Sequence, residues 1–412
     1  MDARPLANPQ AVPGGSQRPE GGPPGADELA RHYTRFRVSE RLLLTGHSHQ
    51  AWPDVAFDAQ QRAWLDAAEL VDEKWERASQ VAERVRDGWR TLLGDPGAVI
   101  ALGQSTHELV LRFLSALPLR ERPRLVTTDG EFHTLRRQLD RLAEEGIELV
   151  RVAARPARTA AERVAGAVDD RTAAALLSSV LYETAEIVPH LDAVARACAR
   201  HGAELLVDAY HHLNVVPFDA GSLGLEAAFV TGGGYKYCQL GEGNGFLRIP
   251  PDRDDLRPVI TGWFGEFDEL GEARAPGEVR YGRGASRWAG ATYDPTAHYR
   301  AAAVFDFFAE QGLTPERLRA VSRRQVGLLH ALCEERLDGR ARAPGVEGAG
   351  GLEGVAGFLA LEVRDAAGVQ RRLRALGALS DHRGDVLRLG PAPYLTDAQL
   401  EEAVAKLAKV VR

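Results

Sequence analysis

Apolar and polar positions follow two rhythms along the chain. Residues 1 to about 26 follow neither: Pro, Gly, Ala and Gln dominate, and such a stretch cannot bury enough apolar surface to offset the entropy of ordering. It reads as a disordered tail. Helical spacing begins at Asp27, gives way to a short apolar run over Arg41 to Gly46 and a His-rich turn over His47 to His49, and resumes from about Asp58 to Leu93. There Trp64, Leu65, Val71, Trp75, Val81, Val85 and Trp89 form the expected apolar stripe. Seven short apolar runs follow, at 98–102, 124–128, 148–152, 174–180, 204–209, 227–232 and 245–249, most of them separated by amphipathic stretches such as His107 to Leu117 and Leu191 to His201. Strands alternating with helices predict an α/β fold: a seven-stranded, mostly parallel sheet covered by helices. The last run follows its neighbour too closely for a helical crossover and is expected to be antiparallel.

Beyond Arg283 the rhythm changes. Two long helical stretches, about 295–311 and 314–338, lead through a glycine-rich loop (Gly345 to Gly354) to strands near 355–363 and 386–389 and a final helix from Thr396. The expected organisation is a tail over 1–26, an N-terminal arm over 27–57 that contributes to the small domain and the active site, a large domain over 58–294, and a smaller C-terminal α+β domain over 295–412.

Composition narrows the function classes. The net charge of −7 disfavours broad attraction to nucleic acid or anionic membrane, and no apolar run reaches the length of a membrane span. The N-terminus lacks a signal-peptide profile. Three scattered cysteines form neither a disulfide framework nor a cysteine-ligated metal site, so a cytoplasmic, metal-free protein is expected. Of the 51 basic side chains only Lys74, Lys236, Lys406 and Lys409 are lysine. Where arginine fills almost every generic basic position, a lysine in an apolar setting calls for its own explanation.

Ligands of open α/β sheets bind beyond the carboxyl ends of the strands. The first strand ends in Gly103-Gln104-Ser105-Thr106 and enters a helix, which suits a phosphate, although Ser and Thr are also ordinary N-caps. The fifth ends in Asp208, either a carboxylate in need of a cationic partner or a turn cap. The sixth leads through three glycines to Tyr235-Lys236-Tyr237, where a partly desolvated lysine can form an imine. Pyridoxal phosphate needs these three things together: a lysine, an acid for its pyridine nitrogen and an anion site. No G-x-G-x-x-G follows the first strand, so a dinucleotide fits poorly.

These motifs resemble the fold-type I pyridoxal phosphate enzymes of the class V aminotransferase group, and within it kynureninase, from about residue 40 to the C-terminus. Asp208-Ala209-Tyr210-His211 is similar to that group's Asp-x-x-His, and Tyr235-Lys236-Tyr237 to its Tyr-Lys-Tyr. Gly46-His47-Ser48 with Pro53, Gly262-Trp263-Phe264-Gly265 and Leu387-Arg388-Leu389-Gly390-Pro391 resemble further segments. The resemblance implies an aspartate aminotransferase-like fold and a homodimer with shared active sites. It implies that Lys236 binds the cofactor and shuttles protons, that Asp208 pairs with the pyridine nitrogen beside His211, and that Phe132 stacks on the ring. Gln104, Ser105, Thr106 and Tyr235 would hold the phosphate, with Thr292 reaching a neighbouring subunit's. Arg388 would clamp the substrate α-carboxylate, with His47, Ser48 and Phe264 also at the substrate. The implied reaction is hydrolytic Cβ–Cγ cleavage that releases alanine. Glu266 stands where kynureninases have His, and the stretch 67–75 lacks their ring-holding His. An aminotransferase or Cβ-lyase on another amino acid is therefore the alternative, followed by a non-catalytic pyridoxal phosphate-binding protein.

Overall fold

The computed structural model describes residues 24–348 and 350–411. Most of the expected tail, residues 1–23, lies outside the described residues. The seven apolar runs form one sheet: β1 Val99–Gly103, β2 Arg124–Thr128, β3 Glu148–Val152, β4 Thr172–Ser178, β5 Glu204–Asp208, β6 Phe229–Gly233 and β7 Gly245–Ile249. Their spatial order is β1-β7-β6-β5-β4-β2-β3. All neighbours pair in parallel except β7, which runs antiparallel to both β1 and β6, as its short connection requires. Every residue of β4, β6 and β7 is buried, which is why these strands read as continuous apolar runs rather than alternating ones. Helices Thr106–Ala116, His133–Glu144 and Leu191–His201 are among those covering the sheet.

The C-terminal part contains helices Thr296–Glu310 and Pro315–Leu337 and a four-stranded antiparallel sheet of β8 Ala341–Arg342, β9 Leu359–Val363, β10 Asp381–Arg383 and β11 Val386–Leu389, in the order β10-β11-β9-β8. Side chains start its helices. Thr314 accepts from Arg317 N ahead of a first-turn proline, and Thr396 with Gln399 forms a capping box for Asp397–Val410. The segment before the His-rich turn joins this part: Leu42–Leu43 pairs in parallel with Ala378–Leu379, and Thr45 bridges Gly390. No helix among the described residues is long and apolar enough to cross a membrane.

Three expectations need correction. The helical stretch over 58–93 is two helices, Val55–Leu70 and Lys74–Leu92, broken at Val71, which adopts φ +49°. The expected stripe is split as well. Val81, Val85 and Trp89 are buried, but Trp64 is 78% exposed, and Leu65 and Val71 also face outward. The first helix instead turns Ala56, Ala63 and Asp66 inward, towards helix Thr296–Glu310, where Tyr299 donates to Asp66 at 2.9 Å. Small side chains and a satisfied carboxylate make that interface, leaving the large apolar residues outside. The strand expected from 355 begins only at Leu359, and the polar strand β10 follows no apolar rhythm.

Candidate active site

A cavity of about 210 Å³ opens at the carboxyl ends of β4 and β5, against the turn from β1 into helix Thr106–Ala116. Glycines make the approach possible. Gly103, Gly245 and Gly233 lie on one rung across β1, β7 and β6. A Cβ on Gly245 would come within 2.7 Å of Ser105 C, and one on Gly233 within 2.6 Å of Tyr210 Oη. Bare backbone there lets the Gln104–Thr106 turn and Tyr210 close on the cavity.

Of the residues assigned to the cofactor by sequence, Gln104, Ser105, Thr106, Phe132, Asp208, His211, Tyr235 and Lys236 all line this cavity. Ser105 caps the helix by accepting from Glu108 N, and Ser105, Thr106 and His107 at the helix start all line the same space. Lys236 is only 5% exposed, and its Nζ lies 2.8 Å from His211 Nε2 and 4.2 Å from the centre of the Tyr210 ring. Loss of water lowers the Lys236 pKa to about 7; Asp208 opposes the shift, and Arg388 and Arg383 reinforce it. Its amine is thus substantially neutral near pH 7, the state that attacks a carbonyl. Burial first, then Lys236 and Arg388, push His211 well below its ordinary value, so it is a neutral imidazole able to accept from Nζ. Burial raises Asp208, against the Tyr210 N–H, which donates to its Oδ1 at 2.8 Å, and against Lys236. A carboxylate so poised gains most from a cation that enters the cavity.

The remaining assigned residues do not line this cavity. Thr292 and Phe264 line a second one of about 410 Å³, walled by Trp75, Trp263, Phe267 and Tyr293, with Gln104 shared between the two. Ser48 donates to Thr45 O within its own turn, while neighbouring His49 stacks on Tyr235 with ring centres 4.9 Å apart. His47 and Arg388 are buried, and both bond to Asp381. Several cavity residues carried no sequence assignment. Ser178 ends β4, so the strand-end rule could have found it, and Tyr210 sits inside the quoted Asp-Ala-Tyr-His segment. Tyr182 lines the cavity too. Behind Ser178, buried Glu131 accepts from Ser178 and Thr128 at 2.6 Å each; burial raises its pKa to about 7.

The residues fit pyridoxal phosphate: one desolvated amine, one carboxylate in need of a cation, an imidazole whose Nδ1 has no partner among the described residues, and a helix N-terminus beside two hydroxyl side chains share a single cavity. The sequence matches no protein-family profile and no curated protein. Among solved structures it is similar to a mutant of C-DES with glycine covalently linked to the PLP cofactor, with 18% identity over 92% of this chain and 99% of that one at a TM-score of 0.78. A complex of the cystine C–S lyase C-DES with its product cysteine persulfide gives 17%, 91%, 99% and 0.75. The apo cysteine desulfurase of Thermococcus onnurineus NA1 gives 15%, 93%, 97% and 0.75. The chain has the aminotransferase-like type I fold. At such identities these likenesses establish the type I fold, and the functional reading rests on the cavity itself.

Proposed function

We propose that this chain is a pyridoxal phosphate-dependent enzyme acting on an α-amino acid. The observation that carries the reading is the desolvated Lys236 amine, 2.8 Å from a neutral imidazole, in one cavity with Asp208 and the Ser105–Thr106 helix start. When bound, the cofactor supplies an electron-withdrawing ring that stabilises negative charge at the substrate Cα. The protein's part is positional and electrostatic. Asp208 keeps the ring nitrogen protonated, Phe132 offers a ring face, and Gln104, Ser105, Thr106 and Tyr235 receive the phosphate. Lys236 Nζ takes and returns the proton at Cα, with His211 Nε2 as its hydrogen-bond acceptor.

For the reaction, the second cavity favours the kynureninase-like reading. Its wall of Trp75, Trp263, Phe264, Phe267 and Tyr293 suits a flat aromatic side chain, and Gln104 lines both cavities. Hydrolytic Cβ–Cγ cleavage would then release alanine. The likeness to a cystine C–S lyase supports a Cβ-lyase as the second reading. Persulfide transfer through a cysteine of this chain is disfavoured, because Cys198, Cys238 and Cys333 are all buried, and burial pushes the Cys198 and Cys333 thiols up to about 12. A panel of amino acids led by kynurenine and 3-hydroxykynurenine separates the readings by product. Alanine with an anthranilate supports cleavage next to the ketone; pyruvate supports the lyase; no turnover of any amino acid by cofactor-loaded protein would overturn the enzyme reading.

The active unit is proposed to be a homodimer. Trp64, Leu65, Val71, Val259 and Ile260 are exposed apolar side chains of the kind a second copy covers. Thr292 lies outside the first cavity, in keeping with a role at a neighbour's phosphate. Trp64→Glu is expected to shift sedimentation from dimer towards monomer without loss of helix content; an unchanged mass at micromolar concentration would assign this face to something else.

A further inference from the structure

Tyr210 lines the first cavity, and nothing so far gives it a task. Two bare backbone positions fix where its hydroxyl lies. Gly233 and Gly245 pair directly opposite one another across β6 and β7, so side chains at these positions would stand together on one face of the sheet. Neither residue has one. The Cβ missing from Gly233 would fall 2.6 Å from Tyr210 Oη, and the Cβ missing from Gly245 would fall 2.7 Å from Ser105 C and 3.0 Å from Thr106 N. The tyrosine hydroxyl and the start of helix Thr106–Ala116 therefore occupy adjacent places on that face, each in the space that a glycine leaves open. The Thr106 hydroxyl ties the two sides together by donating to Gly232 O at 3.4 Å.

The Tyr210 ring is held by contacts that do not involve its oxygen. Its backbone N–H donates to Asp208 Oδ1 at 2.8 Å, its ring centre lies 5.0 Å from that of Tyr235, and Lys236 Nζ stands 4.2 Å over its face. The oxygen accepts from the Tyr235 backbone N–H, and its own proton faces the Tyr235 hydroxyl. Burial pushes the Tyr210 pKa well above its ordinary value, so the hydroxyl keeps that proton. A charged acceptor beside it would draw the proton's hydrogen bond away from the neutral phenol, because bonds to an anion are the stronger ones. Among the described residues no arginine, and no lysine other than Lys236, lines this cavity. An anion there depends on neutral donors, and the Thr106 hydroxyl is already engaged with Gly232 O.

We propose that Tyr210 Oη donates a hydrogen bond to the phosphate of the cofactor, beside the Ser105–Thr106 helix start, and so helps the site select pyridoxal phosphate over unphosphorylated pyridoxal. This rests on the pyridoxal phosphate reading above and deepens it by adding a phosphate ligand. The same side chain then serves twice: its ring face backs the Lys236 amine, and its hydroxyl meets the anion.

The test uses full-length protein stripped of cofactor and two probes that share the aldehyde and the pyridine ring but differ in the phosphate: pyridoxal phosphate and pyridoxal. Half-saturation by each is read from the visible band. Each probe is compared between wild type and Tyr210→Phe, so the different intrinsic reactivities of the two aldehydes cancel. Phe deletes only the hydroxyl and keeps the ring against Tyr235 and Nζ, so the far-UV spectrum and the melting midpoint should match the wild type. Tyr210→Phe is expected to raise the half-saturating pyridoxal phosphate concentration about tenfold or more and to leave that for pyridoxal unchanged. A wild-type response of Tyr210→Phe to pyridoxal phosphate would show that the hydroxyl does not touch the phosphate. Equal weakening for both probes would show that Tyr210 acts by packing alone. Either result overturns the proposal, as does a wild-type protein that binds pyridoxal as tightly as pyridoxal phosphate. A wild-type protein that gives a band with neither probe overturns the underlying cofactor reading instead, and this proposal with it.

Discussion

Lys236→Ala is expected to abolish the visible absorption that the wild-type protein acquires with pyridoxal phosphate and to remove turnover. Loss of its proton transfer alone is worth about 10²- to 10⁴-fold, and loss of the covalent attachment adds to that. The far-UV spectrum should stay unchanged, because the deleted chain points into the cavity rather than into the main core. The wild-type protein adds a pH signature. Burial lowers the Lys236 pKa to about 7, so the fraction of neutral amine climbs as pH rises through about 7. The rate of cofactor capture should therefore have its midpoint near there, where an exposed lysine would show one near about 10.4. A midpoint at the exposed value would mean that Lys236 is solvated. Unchanged absorption in Lys236→Ala would assign the cofactor to another amine.

The second large effect belongs to Asp208. Asp208→Asn keeps an oxygen able to accept from Tyr210 N–H, so the turn after β5 is preserved while the negative charge is lost. Removing one preorganised electrostatic partner typically costs about 10²- to 10³-fold. That loss is expected in kcat measured with saturating cofactor, alongside a protein that still folds and still takes up pyridoxal phosphate. The same substitution separates the two meanings of the residue. If Asp208 only capped its turn, Asn would serve as well, and kcat would stay at the wild-type level.

Much of the fold was legible because parallel strands buried on both faces produce unbroken apolar runs. β4 and β6 are such strands, and the short link before β7 dictated its direction. Lys236 stood out because the chain hardly uses lysine, and Asp208 and Ser105 because strand ends and helix starts are where this architecture presents groups to ligands. What stayed hidden depends on contacts between distant segments. The outward turn of Trp64 and Leu65 follows from Ala63 and Asp66 facing helix Thr296–Glu310, which no periodicity reveals. β10 is Asp-His-Arg, three polar residues with no strand rhythm, so neither its pairing nor the contact of Asp381 with Arg388 could be read before the hairpin closes. The separation of Phe264 and Thr292 from the first cavity belongs to the same class, because it is set by loop packing rather than by local sequence.

The central claim is that pyridoxal phosphate is held through the Nζ of Lys236. Its most direct test is to incubate the wild-type protein with pyridoxal phosphate, reduce with borohydride, digest, and locate the modified peptide by mass spectrometry. The account predicts a visible band that borohydride bleaches and a single modified residue, Lys236, carrying the mass of one reduced cofactor. A protein that stays colourless with added cofactor, or one labelled instead at Lys74, Lys406 or Lys409, would contradict it.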